Sequence, residues 1–175
     1  MPDGPEIKRE RDARGRPLNA RPRDGLGRPL SRDEVGVEPI PEGLALPPQQ
    51  ALEQAQRLLD DGQPFHAHEV LEGTWKAAPP EERELWQGLA QLAVGLTHAL
   101  RGNSVGAVAV ISRGRDRVAG YADAAPNGVD ISGILAWSDT MVTRLEAPIA
   151  LPSAKAHPSV DDYPSLQLLE RAEND

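Results

Sequence analysis

Between residues 48 and 147 apolar side chains recur three and four positions apart, and nowhere do they alternate with polar ones at a period of two. That pattern predicts helices and no strands. A first helix starts after Pro47-Pro48 and runs to Leu59, with Ala51, Leu52, Ala55, Leu58 and Leu59 at core spacing. Asp60-Asp61-Gly62 ends it, and Pro64 stands where an N1 proline opens a second helix to about Ala77. After Pro79-Pro80, with Glu81, Glu82 and Glu84 in the first turn, a third helix continues to Leu100. Gly102 fits a left-handed stop, and Asn103 or Ser104 can cap a fourth helix from about Val105 to Tyr121. Pro126-Asn127-Gly128 reads as a turn. Asp130 caps a fifth helix whose Ile131, Ile134, Leu135, Val142 and Leu145 share a face. The expected fold is all-α, a compact bundle of about five helices with the second to fourth at its centre.

Extended arms flank this pattern. Residues 1–47 are rich in Pro, Gly and Arg and show no periodicity. Within them Gly15-Arg16-Pro17-Leu18 recurs twelve residues later as Gly27-Arg28-Pro29-Leu30. Prolines at 148, 152, 158 and 164 mark residues 148–175 as an extended tail, in which Pro164–Glu170 have the composition of one last short helix. The division is therefore an arm over 1–47, a helical domain over 48–147 and a tail over 148–175.

Charge adds a partner question. The chain carries a formal net charge of −8, yet residues 1–32 hold nine basic and five acidic residues, about +4, leaving about −12 elsewhere. The arm lacks aromatics for base stacking and its charges are diluted by acids, so nucleic-acid binding is the weaker expectation. Docking on the acidic body is the stronger one, with Leu18 and Leu30 as anchors and some of Arg16, Arg21, Arg23 and Arg28 facing acidic side chains. Cysteine is absent, which removes disulfides, thiolate metal ligation and cysteine nucleophiles. No apolar run has the length of a membrane span and the N-terminus lacks a signal-peptide pattern, so a cytoplasmic protein without membrane association is expected. Self-association into a homo-oligomer is an open expectation.

The chemistry concentrates in Phe65-His66-Ala67-His68-Glu69-Val70-Leu71-Glu72-Gly73-Thr74-Trp75, which holds two of the four histidines. On a wheel at 100° per residue, Ala67, Val70, Leu71, Thr74 and Trp75 form the core sector. His68 and Glu72 lie together at its edge, Glu69 flanks them, and His66 points nearer the outside. The third helix is apolar over most of its circumference, with Leu85, Leu89, Leu92 and Leu96 on one stripe and Gln87, Gln91, Val94 and His98 opposite. Gly88 and Gly95 would let another backbone come close. A buried polar stripe needs partners, and His68 and Glu72 are the nearest candidates in sequence.

Two readings stay open. In one, His68, Glu72 and His98 hold a divalent metal, or the cluster takes a small polar ligand; an enzyme built this way would be a metal-assisted hydrolase. In the other, the same groups form a hydrogen-bond network that fixes helix register in a structural or interaction module. Known motifs fit poorly. His68-Glu69-Val70-Leu71-Glu72 has Glu where a zincin has its second His. The third helix lacks the mid-helix carboxylate of a di-iron bundle. No serine has a nucleophile-elbow context, and no phosphate loop or dinucleotide fingerprint is present.

Taken together, the Phe65–Glu72 run with Trp75, then Trp86-Gln87-Gly88-Leu89-Ala90-Gln91-Leu92-Ala93 with His98, then Arg101-Gly102-Asn103 and Gly106-Ala107, resembles the domain-of-unknown-function family numbered 309. The resemblance covers roughly residues 52–118. It implies a small helical domain and carries over as motif residues His68, Glu69, Glu72, Trp75, Gln87, Gln91, His98, Asn103 and Gly106. It implies no substrate.

Overall fold

The computed structural model describes residues 21–147 and 164–167. Five α-helices follow in order: α1 (Pro48–Asp60), α2 (Pro64–Ala77), α3 (Arg83–Leu100), α4 (Ser104–Ala119) and α5 (Ile131–Glu146). No strand occurs among the described residues, only isolated bridges such as Arg23 with Val37 and Val129 with Gln167. The all-α expectation holds, and the boundaries fall within a few residues of the sequence pattern.

The joints explain why. Gly62 takes φ +72°, and after α1 the N–H groups of Gly62 and Gln63 donate to Leu59 O (2.9 Å) and Leu58 O (2.8 Å). This is a Schellman stop, in which only glycine sits without strain. The same device closes α3: Gly102 N–H donates to Ala99 O (2.9 Å) and Asn103 N–H to His98 O (2.9 Å). Asn103 then caps α4, its Oδ1 accepting from Gly106 N–H at 3.0 Å. Asp130 caps α5 through Gly133 N–H at 2.9 Å.

α3 lies between α2 and α4, while α1 packs on α2 and α5 on α4. Trp86, Leu85, Leu89, Leu92 and Leu96 of α3 are buried at the centre with Leu52, Leu59, Leu71, Ile111 and Ile134. Trp86 is sealed from solvent, and its indole N–H donates to Glu82 Oε2 (3.0 Å), which also accepts from Asn127. The α3–α4 contact depends on glycines, as the sequence suggested. A Cβ on Gly88 would stand 3.0 Å from Gly114 O, and one on Gly114 would stand 2.8 Å from Gly88 O.

Two flanking segments pack on the bundle. The arm from Arg21 on is docked, and the carbonyl of Leu44 lies where a side chain on Gly73 of α2 would be. Ile40 and Leu46 pack against the core. Leu166 is buried (2% exposed), its N–H donating to Gln56 Oε1 (2.8 Å) and its carbonyl accepting from Asp130 N–H (3.1 Å). The expected short helix over Pro164–Glu170 is therefore corrected over its described part: residues 164–167 are extended. Their backbone polar groups bond to Gln56 and Asp130 instead of to one another, so extension satisfies them without a helix. Residues 168–170, like Leu18, Arg16 and the first Gly-Arg-Pro-Leu copy, lie outside the described residues. No helix among the described residues is long and apolar enough to cross a membrane.

Candidate functional site

Helical spacing sets His68, Glu72 and Lys76 one above the next along one edge of α2. His68 Nε2 is 3.4 Å from Glu72 Oε2, and Lys76 Nζ is 2.9 Å from Glu72 Oε1. His68 Nδ1 lies 3.2 Å from the carbonyl of Phe65, which can only accept, so Nδ1 carries the hydrogen. In a neutral ring Nε2 is then a lone pair beside a carboxylate. Burial pushes the His68 pKa below its usual value, against the upward pull of Glu72 and the Phe65 carbonyl, with Lys76 adding to the fall. Glu72 is held below the carboxylate range, first by the hydrogen bond from Lys76 and then by His68, against burial. Glu69 moves the other way: burial raises it, Arg23 of the arm opposes, and Glu72 adds to the rise.

His66 does not point outward as the wheel suggested. It is 2% exposed, and its Nδ1 has no hydrogen-bond partner. The wheel accounts for a helix facing its own bundle, but the arm covers the other side here. Burial lowers the His66 pKa, with Asp24 and the Gly25 backbone pulling up and Arg23 pushing down, so every counter-influence comes from the arm. Phe65 is the centre of this cover. Gly27 sits so close to its ring that a Cβ there would overlap it. The guanidinium groups of Arg23 and Arg101 stand 5.8 and 6.0 Å from the ring centroid. Arg101 also donates to Leu26 O, tying the arm to the end of α3.

The anchors thus differ from those expected. Gly27, one residue into the repeat, makes the close contact, and Leu30 is only half-buried. Arg28 pairs inside the arm with Asp24 at 2.7 Å, and Arg23 is the arginine that reaches an acid of the body electrostatically, at Glu69. A local pair forms at little entropic cost, so bulk charge of the body did not select the contacts.

The polar stripe of α3 is half-buried and looks toward α4. Gln91 Oε1 accepts from Arg117 Nε (3.2 Å), and Arg117 also pairs with Glu84. His98 Nδ1 lies 3.2 Å from Asn103 Nδ2 and so accepts from the cap residue of α4. The expectation that His68 and Glu72 supply these partners is corrected: the hydrogen bonds of Gln91 and His98 run to α4 and its cap, because Gly88 and Gly95 draw that helix close. Gln87 is half-buried, and Trp75 is half-buried against the core. Among the described residues no group of three or more His, Cys, Asp or Glu side chains is placed to hold one ion. Arg117 and Arg101 were missed from the sequence, and Arg23 was expected to face an acid but not to stand beside the Phe65 ring. A lone arginine carries no pattern that names its partner 26 to 75 residues away.

Residues 52–110 match the family model described as "Domain of unknown function (DUF309)", so the chain carries that domain over α1, α2, α3 and the start of α4. The chain is also similar to the "Uncharacterized protein YpuF" of Bacillus subtilis (strain 168), 50% identical over 44 residues. That stretch is 25% of this chain and 25% of the relative, so the chain spans about a quarter of the length of the curated relative it matches. No solved structure matches. The arm that covers Phe65 and His66 lies outside the matched residues.

Proposed function

We propose that this chain is a non-catalytic structural and interaction module, in which the His, Glu and Gln residues serve as hydrogen-bond networks that fix helix register. The observation that carries this reading is that the candidate side chains bond to separate local partners. His68 is held by the Phe65 carbonyl, Glu72 by Lys76, Gln91 by Arg117, and His98 by Asn103. Groups so engaged orient helices, and removing one partner leaves the other unsatisfied.

A second reading keeps a divalent metal or small polar ligand near α2, with hydrolytic chemistry. It is favoured by the buried, unpartnered Nδ1 of His66 and the raised pKa of Glu69. Thermal melting with EDTA, then with zinc, manganese or nickel, separates the two. The network reading expects the same melting temperature throughout, with Glu72→Gln losing no more than about 1 kcal/mol, for the half-exposed ion pair with Lys76, regardless of metal. A melting temperature that falls with chelator and returns with one metal supports the second reading.

A further inference from the structure

The docked part of the arm is a loop with its own internal logic. Asp24 Oδ1 accepts from the N–H groups of Leu26 (2.9 Å) and Arg28 (2.8 Å), and Asp24 Oδ2 accepts from Arg28 Nε (2.7 Å). Arg23 Nη1 donates to Gly27 O (2.6 Å) while its guanidinium lies near the Phe65 ring. Gly27 takes φ +72° and presses on Phe65 with no room for a side chain. The side chains that make this loop are thus Arg23, Asp24 and Arg28, with glycine required at 27.

The same residues stand twelve positions earlier. Arg11-Asp12-Ala13-Arg14-Gly15-Arg16-Pro17-Leu18 aligns with Arg23-Asp24-Gly25-Leu26-Gly27-Arg28-Pro29-Leu30, and each of those four requirements is repeated at Arg11, Asp12, Gly15 and Arg16. The two departures are compatible with the same seat. A Cβ at position 25 would be 3.1 Å from Gly62 O and 3.2 Å from Gln63 Cγ, so the methyl of Ala13 needs a shift of a few tenths of an ångström. Leu26 holds Arg101 through its backbone carbonyl, which Arg14 also has.

We propose that the Phe65 face of α2 is a receptor for this loop, and that Arg11–Leu18 of the same chain is its second occupant, exchanging with Arg23–Leu30. The exchange lengthens the connection to α1, which lowers the local concentration of the first copy only on the order of twofold. Ala13 supplies the larger handicap, so the second copy is the resident and the first takes the seat when the second is released. Seating the first copy frees residues 23–30. The inference stands apart from how the His68 network is read.

The test uses the full chain and the variants Gly27→Val, Gly15→Val and the double variant. Valine at either glycine clashes with Phe65 and disfavours positive φ. A glycine α-proton over an aromatic ring face has an upfield-displaced NMR signal, which belongs to Gly27 in the parent. In Gly27→Val a displaced Gly15 signal is expected in its place, at all protein concentrations. Gly15→Val alone should leave the melting temperature unchanged, and the double variant should melt below Gly27→Val. Asp24→Ala with and without Asp12→Ala repeats the comparison by breaking the loop rather than its seat. The proposal is overturned if the double variants melt with their single parents and no Gly15 signal is displaced. A signal that appears only at high protein concentration overturns the in-chain exchange by assigning the seat to another molecule.

Discussion

Gly114→Ala tests the close approach of α3 and α4. Both Gly88 and Gly114 are buried helical positions, so helix propensity by itself favours alanine by about 1 kcal/mol. The geometry opposes it. The new methyl would stand 2.8 Å from the carbonyl of Gly88 and 3.0 Å from Leu92 Cδ2. A carbon and a carbonyl oxygen settle at about 3.3 Å or more, so the helices must part by roughly 0.5 Å. A gap of that size forfeits about a quarter of the dispersion attraction of the atoms it separates, among them Leu92, Ile111 and Val118. Overpacking of this kind costs about 1–3 kcal/mol. Net of propensity, the variant should lose up to about 2 kcal/mol, or up to roughly 8 °C in melting temperature for a chain of this size. Gly120→Ala is the control. It lies just beyond the same helix at φ −64°, and its Cβ would meet nothing nearer than Arg117 O at 3.4 Å. It should be neutral or slightly stabilising. Gly114→Ala melting above the parent, with Gly120→Ala unchanged, would refute the close-packed α3–α4 seam.

Two further outcomes are expected. His66 and His68 are neutral in the fold with pKa values pushed below the usual 6.5, so the unfolded chain binds their protons first. Their stabilisation is complete above about pH 6.5 and is lost as pH falls below it, at a slope of no more than about 1.4 kcal/mol per pH unit for each histidine. Glu72 acts lower, its contribution fading as pH falls through its depressed pKa beneath 4.5. Melting curves at pH 7.5 and 5.5 should therefore differ, and His66→Met should shrink the difference; an unchanged pH dependence would show that the arm does not seal His66. Leu166→Ala should cost about 2 kcal/mol or more in chemical denaturation, because its side chain is buried against the bundle. Stability equal to the parent would mean that residues 164–167 do not hold the bundle.

Helices, stops and caps were legible in the chain because their causes are local. Pro48 and Pro64 open helices, Gly62 and Gly102 close them, and Asn103 and Asp130 cap the next ones, each within a few residues of its partner. The core followed from the same periodicity, as did the closeness of a backbone to Gly88 and Gly95. The adjacency of His68 and Glu72 was likewise readable, being one turn of a single helix. What the chain did not disclose is which faces meet. Gln91 and His98 bond to α4 and its cap rather than to α2, a choice made by the crossing of whole helices. His66 is buried by an arm forty residues earlier, and that arm is held by a glycine against Phe65 rather than by the leucine that hydrophobicity singled out. A wheel knows one helix and its bundle. Burial from outside the bundle, and the pairing of polar groups across it, arise only when segments distant in sequence compete for the same surface in three dimensions.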